Sequence, residues 1–173
     1  ISSLAFCCTM GYFTISPFIY QKVFHWTAFE NGLVYVFYAV PVSLGSLLTV
    51  YWSTRRSPQK ILFLSALGLL TVSLLFLLLE RWSGWQGLVL FSSFIGFFVG
   101  VLIPLGQSMS VYPFSESVGS ASAVSGCIRM LCSSLWLFIL VFFHIDTLLG
   151  LSCVFLANSA AILIFYLFFL KRR

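Results

Sequence analysis

Arg129 is the residue of this chain whose chemistry is hardest to place. It is the only charge in the apolar run 117–143. Twelve residues at helical rise set it about 18 Å from the start of that run, near mid-bilayer. An ionised side chain there costs at least about 2.5–3.5 kcal/mol on insertion scales, and such residues normally face a bundle interior or a wet cavity. Two readings stay open. Arg129 is either a cavity or coupling residue that meets an anionic group, or a structural arginine satisfied by backbone carbonyls. The carboxylates Glu30, Glu80, Glu116 and Asp146 all fall near the ends of apolar runs. The expected partner is therefore a carbonyl, a water, a ligand or another polypeptide.

The other polar candidates divide in the same way. Asn158 lies mid-way along the run 148–170. There it either contacts substrate or makes an interhelical hydrogen bond. Glu30, beside Asn31, is a gate or proton site, or a first-turn carboxylate that complements a helix dipole. Glu116 has the same two readings at the start of the Arg129 run: inner gate or dipole complement. His144 and Asp146 fit a turn at a membrane interface. A Ser–His hydrolase is excluded, because Ser125 and His144 are nineteen residues apart on one helix, roughly 28 Å. Phosphate-loop, dinucleotide and zinc spacings are missing from the sequence, so no metal, cofactor or enzymatic activity is expected. Cys7, Cys8, Cys127, Cys132 and Cys153 all sit in apolar runs and read as small core-filling residues. Phe13, Tyr20, Tyr35, Phe37, Tyr38, Phe97 and Phe98 line an apolar cavity or serve as packing and lipid-facing residues.

These residues must be positioned by membrane helices. Hydrophobic residues make up 61% of the chain and charged residues 8%, which excludes a soluble domain. The net charge of +5 does not indicate nucleic-acid binding, because the basic residues sit at the ends of apolar runs. Six spans are expected, at about 1–20, 32–52, 61–79, 85–105, 117–143 and 148–170. The fold class is all-α and polytopic. The first run reads as a mature span, and a start at Ile1 suggests part of a longer chain. Pro41 predicts a kink in the second span. Ser92, Gly96 and Gly100, four apart, form a close-packing stripe that leads to a kink or helix end at Pro104. Gly119 to Gly126 is a second small-residue stretch, including Ala123, that lets a neighbouring backbone come close.

Six spans place both termini on one side. With that side cytoplasmic, the inner segments hold Arg55, Arg56, Lys60, Lys171, Arg172 and Arg173. The outer turns hold only Lys22 and Arg81. This matches the positive-inside rule.

The stretch from Gly96 to Arg129 resembles the tenth helix, inner loop and eleventh helix of the major facilitator superfamily. It looks most like the drug/proton antiporter branch that includes the bicyclomycin-resistance transporters. The residues that carry the likeness are Gly100, Pro104, Pro113-Phe114, Gly119-Ser120-Ala121-Ser122-Ala123 and Arg129. The first span and its exit are similar to the seventh helix of that branch. Arg55-Arg56 stands where the superfamily carries a copy of its cytoplasmic basic motif, without the usual Gly and Asp.

The resemblance implies the C-terminal six helices of a twelve-helix transporter that works by alternating access. It implies proton-coupled efflux of small amphipathic compounds, in the manner of a multidrug exporter of the bacterial inner membrane. The implied partners are a small-molecule substrate, protons, the lipid bilayer and an N-terminal six-helix half. On this reading Gly96, Gly100, Pro104, Gly119, Ala123 and Glu116 serve packing or gating, and Arg129, Asn158 and Glu30 serve substrate binding or coupling. The alternative is a six-helix membrane subunit, or a remnant half-transporter, that does not transport.

Overall fold

A computed structural model of the chain describes residues 1–80, 84–114, 116–143 and 147–170. The helices are α1 (Ser2–Lys22), α2 (Ala28–Ser53), α3 (Pro58–Leu79), α4 (Trp85–Val111), α5 (Val118–Phe142) and α6 (Leu148–Phe165). A π-helical turn, Tyr166–Leu170, extends α6. Each of these six helices is long and apolar enough to cross a membrane. The segments 81–83 and 144–146, expected as turns, and the basic end 171–173 lie outside the described residues, as does Ser115.

Helix starts follow local chemistry. Thr27 caps α2 through a capping box. Its hydroxyl oxygen accepts the Glu30 N–H at 3.3 Å, and its own N–H donates to the Glu30 carboxylate at 2.8 Å. The helix therefore begins at Ala28, one turn before the expected 32, and Glu30 sits inside its first turn. Pro58 stands in the first turn of α3, where its missing N–H costs nothing. Thr147 caps α6 by accepting the Gly150 N–H at 3.1 Å.

Four helices close a ring, with α1 against α4, α4 against α3, α3 against α6 and α6 against α1. The other two lie outside that ring, α2 along α4 and α5 along α1. The core residues Tyr12, Leu62, Phe76, Ile95 and Phe155 are buried within the bundle.

The α2–α4 seam is the tightest contact. A Cβ at Gly100 would collide with the Val42 carbonyl, and one at Gly45 with the Phe97 carbonyl. Gly96 sits against Tyr38, where a Cβ would lie 3.1 Å from the carbonyl oxygen. The Gly96/Gly100 stripe therefore packs as its spacing suggests.

The fourth span does not end at 105. It runs through Pro104 to Val111. Pro104 has no N–H to offer the Gly100 carbonyl one turn earlier. The Ser46 hydroxyl of α2 reaches that carbonyl at 2.9 Å. The arrangement is reciprocal. Pro41 of α2 frees the Phe37 carbonyl, and the Ser93 hydroxyl of α4 reaches it at 2.7 Å. Each proline thus leaves one acceptor that the facing helix satisfies, so both helices continue.

Candidate functional site

Arg129 is half-buried on α5 and turned inward, towards α4 and α1. Its Nη1 donates to the Gln107 side-chain carbonyl of α4 at 2.6 Å. Its guanidinium lies over the Phe6 ring of α1, 5.5 Å from the centroid. Among the described residues no carboxylate meets it, and its Nε is buried without a partner. A helical side chain leans towards the N-terminal end of its helix, so the charge sits nearer that end than its Cα does. Gln107 was expected in the connection after Pro104. Because α4 continues past that proline, the amide is held within the helix, at the depth where the arginine reaches it.

A second polar group runs along the seam of α1, α2 and α4. On α1, Thr9, Tyr12, Ser16 and Tyr20 recur every three or four residues and share one face. The Tyr38 hydroxyl donates to the Thr9 Oγ1 at 3.1 Å, and the Tyr35 and Ser16 hydroxyls lie 3.3 Å apart. The Tyr12 and Tyr38 rings stack at 4.7 Å, and Tyr35 stands edge-on to Tyr12 at 6.0 Å. The Tyr12 hydroxyl is buried and has no hydrogen-bond partner among the described residues. The Tyr20 hydroxyl and the Asn31 Oδ1 are likewise buried and unpartnered.

The remaining sequence candidates do not join either group. Glu30 is exposed and its carboxylate is engaged by Thr27, which realises the helix-start reading. Glu116 is exposed, one residue before the N-terminal boundary residue Ser117 of α5. Asn158 is buried, and its amide donates to the Val154 carbonyl of its own helix at 3.1 Å rather than across to a neighbour. Gly119 and Ala123 are exposed, and a Cβ at Gly119 or Gly126 would meet open space. Among the described residues, then, nothing packs on the Gly119 and Gly126 positions of this stretch, while Ala121, Ser122 and Ser125 are partly buried.

The cysteine expectation needs correction. Cys7 and Cys8 fill the core, but Cys127, Cys132 and Cys153 are exposed on the bundle surface. Apolar surroundings in the sequence do not separate core from periphery when every helix face is apolar. The aromatics divide too. Tyr20 and Tyr38 are core residues, whereas Phe37 is 60% exposed.

Two open spaces flank these groups. One, of about 510 Å³, is at the end of the bundle that holds residue 1, and Ser2, Ser110, Ser117, Ser120 and Ser125 line it. The other, of about 640 Å³, is an apolar groove between the starts of α2 and α4, lined by Trp26, Leu33, Phe37, Trp85 and Phe94. Trp26 forms a leaf at that end, stacked on Tyr20 at 5.2 Å and 5.2 Å from Trp85.

Gln107 and Tyr12 are the two residues that sequence reasoning missed. The four-residue spacing of Tyr12, Ser16 and Tyr20 is a signal that was available for the second. For Gln107 the proline concealed it. No curated protein and no solved structure matches the chain. A family model described as Major Facilitator Superfamily matches residues 1–173.

Proposed function

The chain belongs to the Major Facilitator Superfamily, a family of membrane transporters, and on that premise we propose that it is the C-terminal six-helix half of a proton-coupled exporter. The substrates would be small amphipathic compounds, and the two halves would rock about a site near the bilayer midplane. The termini would be cytoplasmic, in a bacterial inner membrane. Among the described residues Arg55, Arg56 and Lys60 lie at the end of the bundle that would then face inward.

The observation that carries the half-transporter reading is the surface of α5. It is the least buried helix of the bundle. Yet one strip of that surface is Gly119, Ala123, Gly126, Cys127, Met130 and Ser134. All of these but Met130 are small, and small residues in a membrane helix favour a closely approaching neighbour. Beside the strip, Val124, Ile128, Leu131, Leu135 and Phe138 form an apolar surface suited to acyl chains or a second bundle. Arg129 points away from this strip, into its own bundle. In this reading it ties α5 to α4 through Gln107, so that movement of α5 against the other half is passed to the central helices. Glu30 and Asn158, both engaged locally, are weaker candidates for substrate contact.

The test is efflux from proteoliposomes that contain the full-length protein under an imposed pH gradient. Transport of an amphipathic probe that follows the gradient and stops when it is dissipated supports proton coupling. Transport that ignores the gradient leaves a uniporter. A failure to move any candidate compound removes the exporter reading and favours a six-helix subunit without transport activity.

A further inference from the structure

The α1–α2–α4 seam holds more hydrogen-bonding capacity than its own atoms satisfy. The hydroxyls of Tyr12 and Tyr20 belong to side chains with no exposed surface, and neither has a partner. Asn31, buried one turn from Tyr35 on the same face of α2, has an unpartnered Oδ1. Native interiors rarely leave such groups unpaired, because a buried donor or acceptor forfeits its water without replacement. Ser16 and Tyr20 follow Tyr12 at four-residue intervals on the same face of α1, and Ser92 is buried on α4, which packs against α1. The lining is neutral oxygen and gives a bare ion no counter-charge. Water, which donates and accepts at once, fits it.

We propose that this seam is an internal hydration site, in which ordered water bridges the Tyr12 and Tyr20 hydroxyls to Ser16, Tyr35 and Ser92. The ladder continues through the Tyr38–Thr9 hydrogen bond. From Tyr20 to Thr9 it covers eleven residues of α1, about 16 Å at helical rise. Water held there carries a polar path from the Trp26 end of the bundle into its centre. The inference rests on the unpaired hydroxyls and is independent of what the protein transports.

The test combines radiolytic hydroxyl labelling with a switch into ¹⁸O water, on the full-length protein in lipid nanodiscs. Bound water generates radicals beside the side chains that hold it. Tyr12 and Tyr20 are therefore expected to be labelled despite their burial, and to take up ¹⁸O more slowly than Tyr112, which is 87% exposed. Tyr12→Phe and Tyr20→Phe remove one water partner each, and each should lower the Tm by about 2–4 °C. The double variant should lose less than the sum, because both hydroxyls share the bridge. A dry seam gives the reverse. Removing an unsatisfied hydroxyl then leaves Tm unchanged or raises it, and Tyr12 and Tyr20 stay unlabelled. Either of those results overturns the proposal.

Discussion

At the scale of single residues, Arg129 and Gln107 work as a pair. The arginine is a charge taken partly out of water, and the amide carbonyl is its one hydrogen-bonding side-chain partner among the described residues. Gln107→Leu leaves the guanidinium without that acceptor. It is expected to destabilise the protein by about 1.5–3 kcal/mol, the usual worth of a hydrogen bond to a charged group. Thermal unfolding in detergent measures this. Adding Arg129→Met to Gln107→Leu should recover stability, since an apolar pair of similar volume avoids the unpaired charge. If the double variant is no more stable than Gln107→Leu alone, the arginine is held by something other than this contact. Thr27 offers a simpler case. Thr27→Ala removes the N-cap of α2 and should cost about 0.5–2 kcal/mol, read from the same melts.

At the scale of elements, the α2–α4 seam is where sequence and packing constrain each other most. Gly45 and Gly100 lie where a methyl group would strike the facing backbone. Backbone cannot rotate away as a side chain can. Gly100→Ala should therefore destabilise by at least about 1–3 kcal/mol, the usual cost of overpacking. Gly119→Ala, on the open face of α5, should leave the stability of this bundle unchanged. The contrast between the two is the measurement. Ser46 and Ser93 carry the other half of the seam. Ser46→Ala uncovers the Gly100 carbonyl that Pro104 has freed, and should cost about 1 kcal/mol. With Pro104→Ala as background the same serine change should cost less, because the helix then supplies its own donor to that carbonyl.

For the whole molecule, the asymmetry of burial is the informative property. The helices α1, α3, α4 and α6 close a ring, while α5 turns a strip of small residues outward beside its apolar surface. If a second bundle covers that strip, Cys127 becomes a reporter of it. In the isolated chain in detergent Cys127 should react readily with a maleimide. In the full transporter it should be protected, and the protection should change between states that favour inward and outward opening. Cys153, exposed on α6, serves as a control on a different helix.

Much of this architecture was legible in the sequence, for a plain reason. Long apolar runs in a membrane must be helices, because no water is present to satisfy the backbone. The number of spans, the place of Arg129 near mid-span and the close-packing stripe of Gly96 and Gly100 follow from composition and spacing alone. The depth to which α4 runs did not. Pro104 reads as an end until Ser46, 58 positions earlier on another helix, is seen to cover the carbonyl it frees. Gln107 stays inside the helix as a consequence, and so Arg129 has its partner. The facing of side chains was illegible for a related cause. When both faces of a helix are apolar, periodicity marks no inside, which is why three cysteines assigned to the core lie on the surface. Sequence alone determined that these residues cross a membrane as six helices with one charge near the middle. Tertiary structure decided what that charge touches and which hydroxyls stand unpaired, because hydrogen bonds between helices join residues that no local spacing relates.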